Sequence, residues 1–403
     1  MKNCLVGQSG GPTAAINASL AGVIKGALKS DKINKIYGMV NGITGIINDN
    51  LILLSENFSD ETNLKLLIQT PSSYLGSCRY KLDTTDIVVM DKIFDNFKKY
   101  DIGYFFYIGG NDSMDTVLKL SEYAKKVNSD VKIIGIPKTI DNDLAVTDHT
   151  PGFGSAAKYI ATTVKEIALD ALVYDVKSVT IVEIMGRNAG WLTASSALAK
   201  TDDFKLPQLI YLPEVPFDEE EFLNSVKYYA EKDKNVVVCV SEGIRFKDGT
   251  FVCESLSSGL TDTFGHKYLS GTAKVLENMV REKLGYKARG VELNVCQRAA
   301  SHIASKTDLD ESFNAGVFGV NSATFGETGK MVVINRHNQE EYEVYFSLFD
   351  IKNIANEEKC VPRDYINDEG NNVTEKMISY LKPLIKGENE IIYKDSLPLY
   401  ITR

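Results

Sequence analysis

Metal-ligand patterns are missing from this chain. Its four histidines, His149, His266, His302 and His337, lie far apart, and no HxxxH pair exists, which argues against a zinc site. The six cysteines stand at 4, 78, 239, 253, 296 and 360 without a CxxC pair. They read as reduced core or surface thiols of a cytosolic protein, with Cys4, Cys239 and Cys296 in strand-like runs. Long apolar runs are also missing. The longest, Tyr104 to Ile108, is far short of the ~18 residues that a membrane span needs. The run Cys4-Leu5-Val6 behind Met1-Lys2-Asn3 is too short for the core of a secretory signal. Positive charge is in deficit: 45 Lys and Arg against 54 Asp and Glu give a formal net charge of -9. That excludes a general nucleic-acid binder but leaves room for a local basic pocket. No solenoid period repeats along the chain. The expectation is a cytoplasmic chain with no nucleic-acid and no membrane partner.

What is present is material for a large core. At 403 residues, with 44% hydrophobic and 25% charged, the chain is too long for one ordinary domain and suggests two α/β lobes. One unit recurs: a short apolar strand, a turn bearing Gly or Asp, then a helix-period segment. The first unit runs from Lys2 through Gly10-Gly11 into a helix over Ala14 to Leu28. Further strands are expected at Ile102–Ile108, Val131–Ile136, Ser178–Ile184, Asn235–Val240 and Gly290–Cys296. Helices are expected over Met114–Val127, Asn188–Lys200 and Ala299–Ser305. Strands apolar on both faces that alternate with helices imply buried parallel sheets, and such sheets bind ligands beyond the carboxyl ends of their strands. The unusual turns of this sequence all fall at such ends. Phe204 to Phe222, with three prolines and five acidic residues, reads as a surface connection. The tail from Asn353 to Arg403 is polar, with a helical stretch near Glu375 to Ile385, and no chemistry is assigned to it.

Each turn has a bland and a chemical reading. Gly10-Gly11 is either a plain tight turn or a place where an anion approaches bare backbone at a helix start. Gly109-Gly110-Asn111-Asp112-Ser113 is either an ordinary helix cap or a phosphate and magnesium cradle. Thr139-Ile140-Asp141-Asn142-Asp143, preceded by Lys138, is either an acidic surface turn or a base beside a cation-orienting carboxylate. Arg79, Arg187, Arg289 and Arg298 are either surface ion pairs or phosphate forks. Met185-Gly186-Arg187 and Ser241-Glu242-Gly243 complete the set at two further strand ends.

Together these turns resemble the phosphofructokinases, in order and spacing, from Met1 to about Asn321. The Thr139–Asp143 segment followed by Met185-Gly186-Arg187 carries most of the specificity. The resemblance implies two Rossmann-like three-layer lobes with mostly parallel sheets and an active site in the cleft between them. It implies a donor lobe over 1–150 and 297–345, and a sugar-phosphate lobe over 151–296 and 346–403 that includes a C-terminal extension. Within the family, ATP users usually carry glycine at the places of Asp112 and Lys138. This chain therefore resembles the branch that uses pyrophosphate. A carboxylate at Asp112 repels the α-phosphate of a nucleotide, and Lys138 neutralises charge on the bridging and leaving phosphate.

Residue roles carry over on the same footing. Asp141 resembles the base that takes the proton of the sugar 1-hydroxyl. Thr139, Ile140, Met185, Gly186, Arg187 and Glu242 match the sugar-phosphate site. Tyr286 and Arg289 resemble a 6-phosphate clamp, assisted by Arg298. Gly10, Gly11 and Arg79 resemble contacts to the donor phosphate, and Asn111 and Asp112 flank a magnesium ion. The implied substrates are fructose 6-phosphate and pyrophosphate, and the implied assembly is a homodimer or homotetramer. Three departures stand out. Asn111 replaces an aspartate found in many relatives, and Val295 stands where some have histidine. Ser178 replaces an arginine that many supply from a neighbouring subunit. The rival readings are an ATP-dependent enzyme, a kinase of a lipid or NAD, and a non-catalytic regulatory subunit.

Overall fold

The computed structural model describes residues 1–256, 271–337, 341–354 and 358–403. Among them, the strands are β1 (Lys2–Gln8), β2 (Ile33–Met39), β3 (Leu51–Leu53), β4 (Ile102–Gly109), β5 (Lys132–Pro137), β6 (Ser178–Ile184), β7 (Leu209–Tyr211), β8 (Asn235–Ser241), β9 (Lys287–Glu292), β10 (Lys330–Arg336) and β11 (Val344–Asp350), followed by a two-stranded hairpin near the C-terminus. Seven of them form one sheet in the order β11-β10-β5-β4-β1-β2-β3, and four form a second in the order β7-β8-β6-β9. The second sheet is parallel throughout. The first is parallel except for its edge strands β3 and β11. The fold is α/β with two Rossmann-like lobes, as the alternation of apolar strands and helices implies.

Burial explains the pairing. In β8 all seven residues are buried, and in β1 six of seven. Such strands satisfy their backbone only between neighbours, with helices over both faces. Apolar clusters accordingly lie on each side of both sheets. Register then sets the rims. Gln8 pairs with Ile108 and Ile108 with Ile136, so the turns after β1, β4 and β5 leave the first sheet at one level. Ile184 pairs with Ser241, so the turns after β6 and β8 do the same in the second.

Several local expectations are corrected. The helix behind Gly109-Gly110 begins at Asn111, not Met114, and runs to Lys126. The first helix starts at Ile16, so Gly10-Gly11 do not open it directly; the Thr13 hydroxyl accepts from Ala15 N and Ile16 N in between. The segment expected as a helix over Asn188–Lys200 holds only Trp191–Ser195 and a 3-10 turn, Ser196–Ala199. The sixth strand lies at Lys287–Glu292 instead of Gly290–Cys296, and Cys296 is exposed in a short helix, Cys296–Ala299. The helix expected over Ala299–Ser305 is a 3-10 turn, Ser301–Ile303; Ser305 caps the long helix Lys306–Thr324 instead. The connection Phe204–Phe222 contains the buried strand β7. A lobe boundary at 345 falls inside β11, whose seven residues pair with β10.

The tail touches both lobes. Met377, Tyr380, Leu381 and Leu384 belong to the core beside the second sheet, whereas Ile401 packs on the core beside the first. The Gln69 amide binds the backbone of Ile392 and Leu399. No described helix is long and apolar enough to cross a membrane.

Candidate active site

Three turns meet at the rim of the first sheet. Lys138 donates its backbone N–H to the Gly109 carbonyl at 2.9 Å, which ties the β5 turn to the β4 turn. Its ammonium donates to the Gly11 carbonyl at 2.7 Å, which ties it to the β1 turn. Lys138 is 3% exposed. Burial lowers its pKa to about 8, with Asp141 acting in the opposite sense and Arg298 adding to the drop. Gly10 has φ +77, a left-handed conformation that favours glycine, and a Cβ there stands 3.1 Å from the Lys138 ammonium. A Cβ on Gly11 stands 3.0 Å from Arg298 Nη1. Arg298 therefore sits beside Gly11 and Lys138, at the donor turn and away from Arg289. The loop of Arg79 reaches the same turn, where the Ser77 hydroxyl donates to the Gly10 carbonyl at 2.8 Å.

The segment after β4 is not an ordinary cap. Gly110 is the N-cap of the Asn111–Lys126 helix and offers no side-chain hydrogen bond, so Asn111, Asp112 and Ser113 lie inside the first turn. First-turn amides without a side-chain acceptor favour an anion. Asn111 Oδ1 is buried with no hydrogen-bond partner, and Asp112 is exposed in the same turn. An orphaned amide oxygen and an adjacent carboxylate are hard oxygen donors that suit magnesium. Among the described residues no three His, Cys, Asp or Glu side chains converge as a metal site. A magnesium ion here would depend largely on phosphate oxygens.

Asp141 stands at the centre. Its backbone N–H donates to the Thr139 hydroxyl, and that hydroxyl donates to Asp141 Oδ2, both at 3.1 Å. Burial raises its pKa above the ordinary carboxylate range, against the lowering effect of the Thr139 hydroxyl and Lys138. Burial also pushes Asp143 up to about 7, with Asp141 and Glu358 adding to it. Ile140 is buried in the second lobe's core and anchors this turn.

The second rim faces this carboxylate. Glu242, after β8, accepts from Gly186 N at 3.3 Å. Burial raises it to about 7, and among its neighbours Asp141 raises it further while Arg187 lowers it. Gly243 fits because a Cβ there would lie 1.9 Å from the Arg187 carbonyl oxygen. Met185 N donates to Gln297 Oε1 at 3.2 Å. Sequence reasoning missed Gln297, although it stands next to Arg298.

Two candidates stand apart. In the parallel register Arg289 is opposite Thr180, four residues before Ile184, or ~13 Å short of the rim. Tyr286 precedes even Lys287, which pairs with Ser178 at the start of β6. The Arg289 side chain is 63% exposed and lies 3.9 Å from Asp170, near the far end of the Phe153–Ala171 helix. The Lys177 ammonium lies 5.3 Å from the Tyr286 ring centre. Within one chain, this pair does not join Arg187, Glu242 and Asp141.

Residues 3–312 match the family model described as phosphofructokinase. The chain is 42% identical over 401 residues to the pyrophosphate–fructose 6-phosphate 1-phosphotransferase of Halomonas elongata, covering 98% of this chain and 94% of that one. It is 40% identical over 406 residues to the protein of the same name from Methylococcus capsulatus, covering 100% and 96%. The solved structure of the pyrophosphate-dependent phosphofructokinase from Marinobacter aquaeolei superimposes with a TM-score of 0.89 at 38% identity, covering 99% of this chain and 95% of that one.

Proposed function

The chain belongs to the phosphofructokinase family, and on that premise we propose the following chemistry for it. It transfers a phosphoryl group from pyrophosphate to the 1-hydroxyl of fructose 6-phosphate, giving fructose 1,6-bisphosphate and phosphate, in either direction. The observation that carries this reading is the joint rim of buried Lys138, Arg298 and the raised carboxylate of Asp141. Asp141 accepts the proton of the sugar hydroxyl, a role that a carboxylate with an elevated pKa suits. Thr139 orients it. Lys138, with Arg298 and Arg79, binds the donor phosphates between Gly10-Gly11 and the open first turn at Asn111. When bound at Asn111 Oδ1 and Asp112, magnesium would neutralise part of the donor's charge. Met185, Gly186, Arg187 and Glu242 hold the sugar from the second lobe. The donor lobe is thus 1–150 with the segments from Gln297 through β11, and the sugar lobe is the remainder. All six cysteines are free, which fits a reducing cytoplasm.

A homodimer completes this site. Leu169, Leu172, Val173, Tyr174 and Val176 are exposed along one segment of chain, Val173 by 69%. They span the end of the Phe153–Ala171 helix and the segment after it, beside Arg289 and Tyr286. Exposed apolar side chains clustered along one segment mark an interface, and a two-fold contact would set Arg289 of one copy against the sugar site of the other. Arg289→Ala then raises the apparent KM for fructose 6-phosphate far more than that for pyrophosphate. Mixing Arg289→Ala with Asp141→Asn subunits restores activity, because each hybrid dimer holds one intact site. At equal proportions that is roughly a quarter of the wild-type rate. No recovery, or equal effects on both KM values, removes Arg289 from the site.

A further inference from the structure

Asn142 lies between Asp141 and Asp143 and is fully buried. Its φ of 55° is left-handed, a region that asparagine enters more readily than most residues. Every arm of its side-chain amide that reaches a partner is tied to the Thr150 backbone or to the tail. Nδ2 donates to the Tyr380 hydroxyl at 2.9 Å. Oδ1 accepts from Thr150 N at 3.1 Å and from the Lys359 ammonium at 3.4 Å. Tyr380 and Lys359 then converge again: both donate to the Asp148 carbonyl at 2.7 Å. Lys359 also continues the turn as backbone, donating its N–H to the Asp143 carbonyl at 2.8 Å.

Tyr380 is itself rigid. Its ring is buried against Trp191, with centroids 5.2 Å apart, and beneath the Arg336 guanidinium at 4.6 Å. Arg336 donates to the Tyr380 carbonyl at 3.1 Å and, through Nη2, to Asp148 Oδ1 at 2.9 Å. Burial, with the charge of Asp148 adding to it, holds the hydroxyl well above the ordinary phenol range, so it stays protonated throughout the working pH. A neutral hydroxyl packed in this way is a fixed strut.

We propose that Tyr380 is a positioning residue for Asp141, acting through Asn142. Its hydroxyl fixes the Asn142 amide, the amide fixes the left-handed backbone, and that backbone aims the adjacent carboxylate across the cleft towards Glu242. The C-terminal tail is thereby part of the catalytic apparatus without touching substrate. The inference rests on the reading of Asp141 as the base.

The test is a double-mutant cycle of Tyr380→Phe with Asn142→Gly, assayed with pyrophosphate and fructose 6-phosphate at a temperature where circular dichroism reports folded protein. Phenylalanine keeps the packed ring, and glycine keeps the left-handed backbone. Tyr380→Phe should lower kcat about tenfold, the scale of one lost orienting hydrogen bond. Both KM values should stay within about twofold. In the Asn142→Gly background the same change should cost almost nothing further, because its route is already cut. A kcat within twofold of wild type overturns the proposal. So does raised KM with unchanged kcat, the mark of a merely structural residue. Equal effects in both backgrounds overturn the route through Asn142. Should Asn142→Gly fail to fold, the kcat and KM values of Tyr380→Phe decide alone. Asp141→Asn, assayed in parallel, separates the two levels. If it keeps near-normal turnover, the base assignment itself falls; if it collapses while Tyr380→Phe does not, only the positioning role falls.

Discussion

Asp141→Asn lowers turnover by about 10²–10⁴-fold, the range for losing a positioned general base. The amide keeps the size of the carboxylate. The backbone N–H of residue 141 still donates to the Thr139 hydroxyl. The folded state loses a buried charge whose desolvation opposes ionisation, and with it a counter-charge to buried Lys138, so the melting temperature should change little. The pH profile carries the same information. The base acts only when ionised, so wild-type kcat/KM for fructose 6-phosphate falls as pH drops through the Asp141 pKa. That acid limb lies above the ordinary carboxylate range, because burial raises the group. The residual activity of Asp141→Asn lacks the limb. Turnover within a few-fold of wild type, in a variant with an unchanged melting temperature, would take Asp141 out of the chemistry.

The second large effect belongs to Lys138. Its ammonium is buried, donates to the Gly11 carbonyl, and has a pKa of about 8. Among the described residues no ion pair joins it to Asp112, which is exposed on the neighbouring turn. In the proposed function the two residues therefore act separately on the donor. On the proposed reading Lys138 stabilises charge on the leaving phosphate, and one such contact is worth roughly 3 kcal/mol in the transition state, or about a hundredfold. Lys138→Gly should cost at least that in kcat with pyrophosphate. In wild type, kcat/KM for pyrophosphate should fall as pH rises through about 8, where the free enzyme's ammonium loses its proton. The variant should lose that basic limb. Asp112→Gly removes a carboxylate that would crowd and repel the α-phosphate of a nucleotide. ATP use should then appear or rise, and more so with both changes together. An unchanged ratio of donor efficiencies in both variants contradicts this steric and electrostatic account.

Much of the candidate site was legible because its residues sit in turns directly behind apolar strands. The strands Ile102–Gly109, Ser178–Ile184 and Asn235–Ser241 are buried on both faces, and their uniform apolarity marks where each one ends. The sheet's edge was not legible in this way. β9 has one bonded neighbour and a mixed burial pattern, so Lys-Ala-Arg-Gly-Val-Glu does not read as a buried strand. The more apolar Leu293–Cys296 beyond it does, which is how the strand came to be expected several residues too late. Tyr286 and Arg289 entered the candidate site through the family resemblance, not through the position of this strand. Asn111 was read as lying before its helix because Asn, Asp and Ser are good caps, yet Gly110 holds the cap position. Tyr380 and Lys359 had no local signal at all. They meet Asn142 across 238 and 217 residues of chain, and only the folded structure brings a polar tail to the central turn.

Donor choice tests the central claim most directly. With fructose 6-phosphate and magnesium held fixed, initial rates of fructose 1,6-bisphosphate formation are measured across matched concentrations of pyrophosphate and of ATP. The account expects saturable turnover with pyrophosphate and a far lower kcat/KM with ATP. Efficient turnover with ATP and little with pyrophosphate would contradict it.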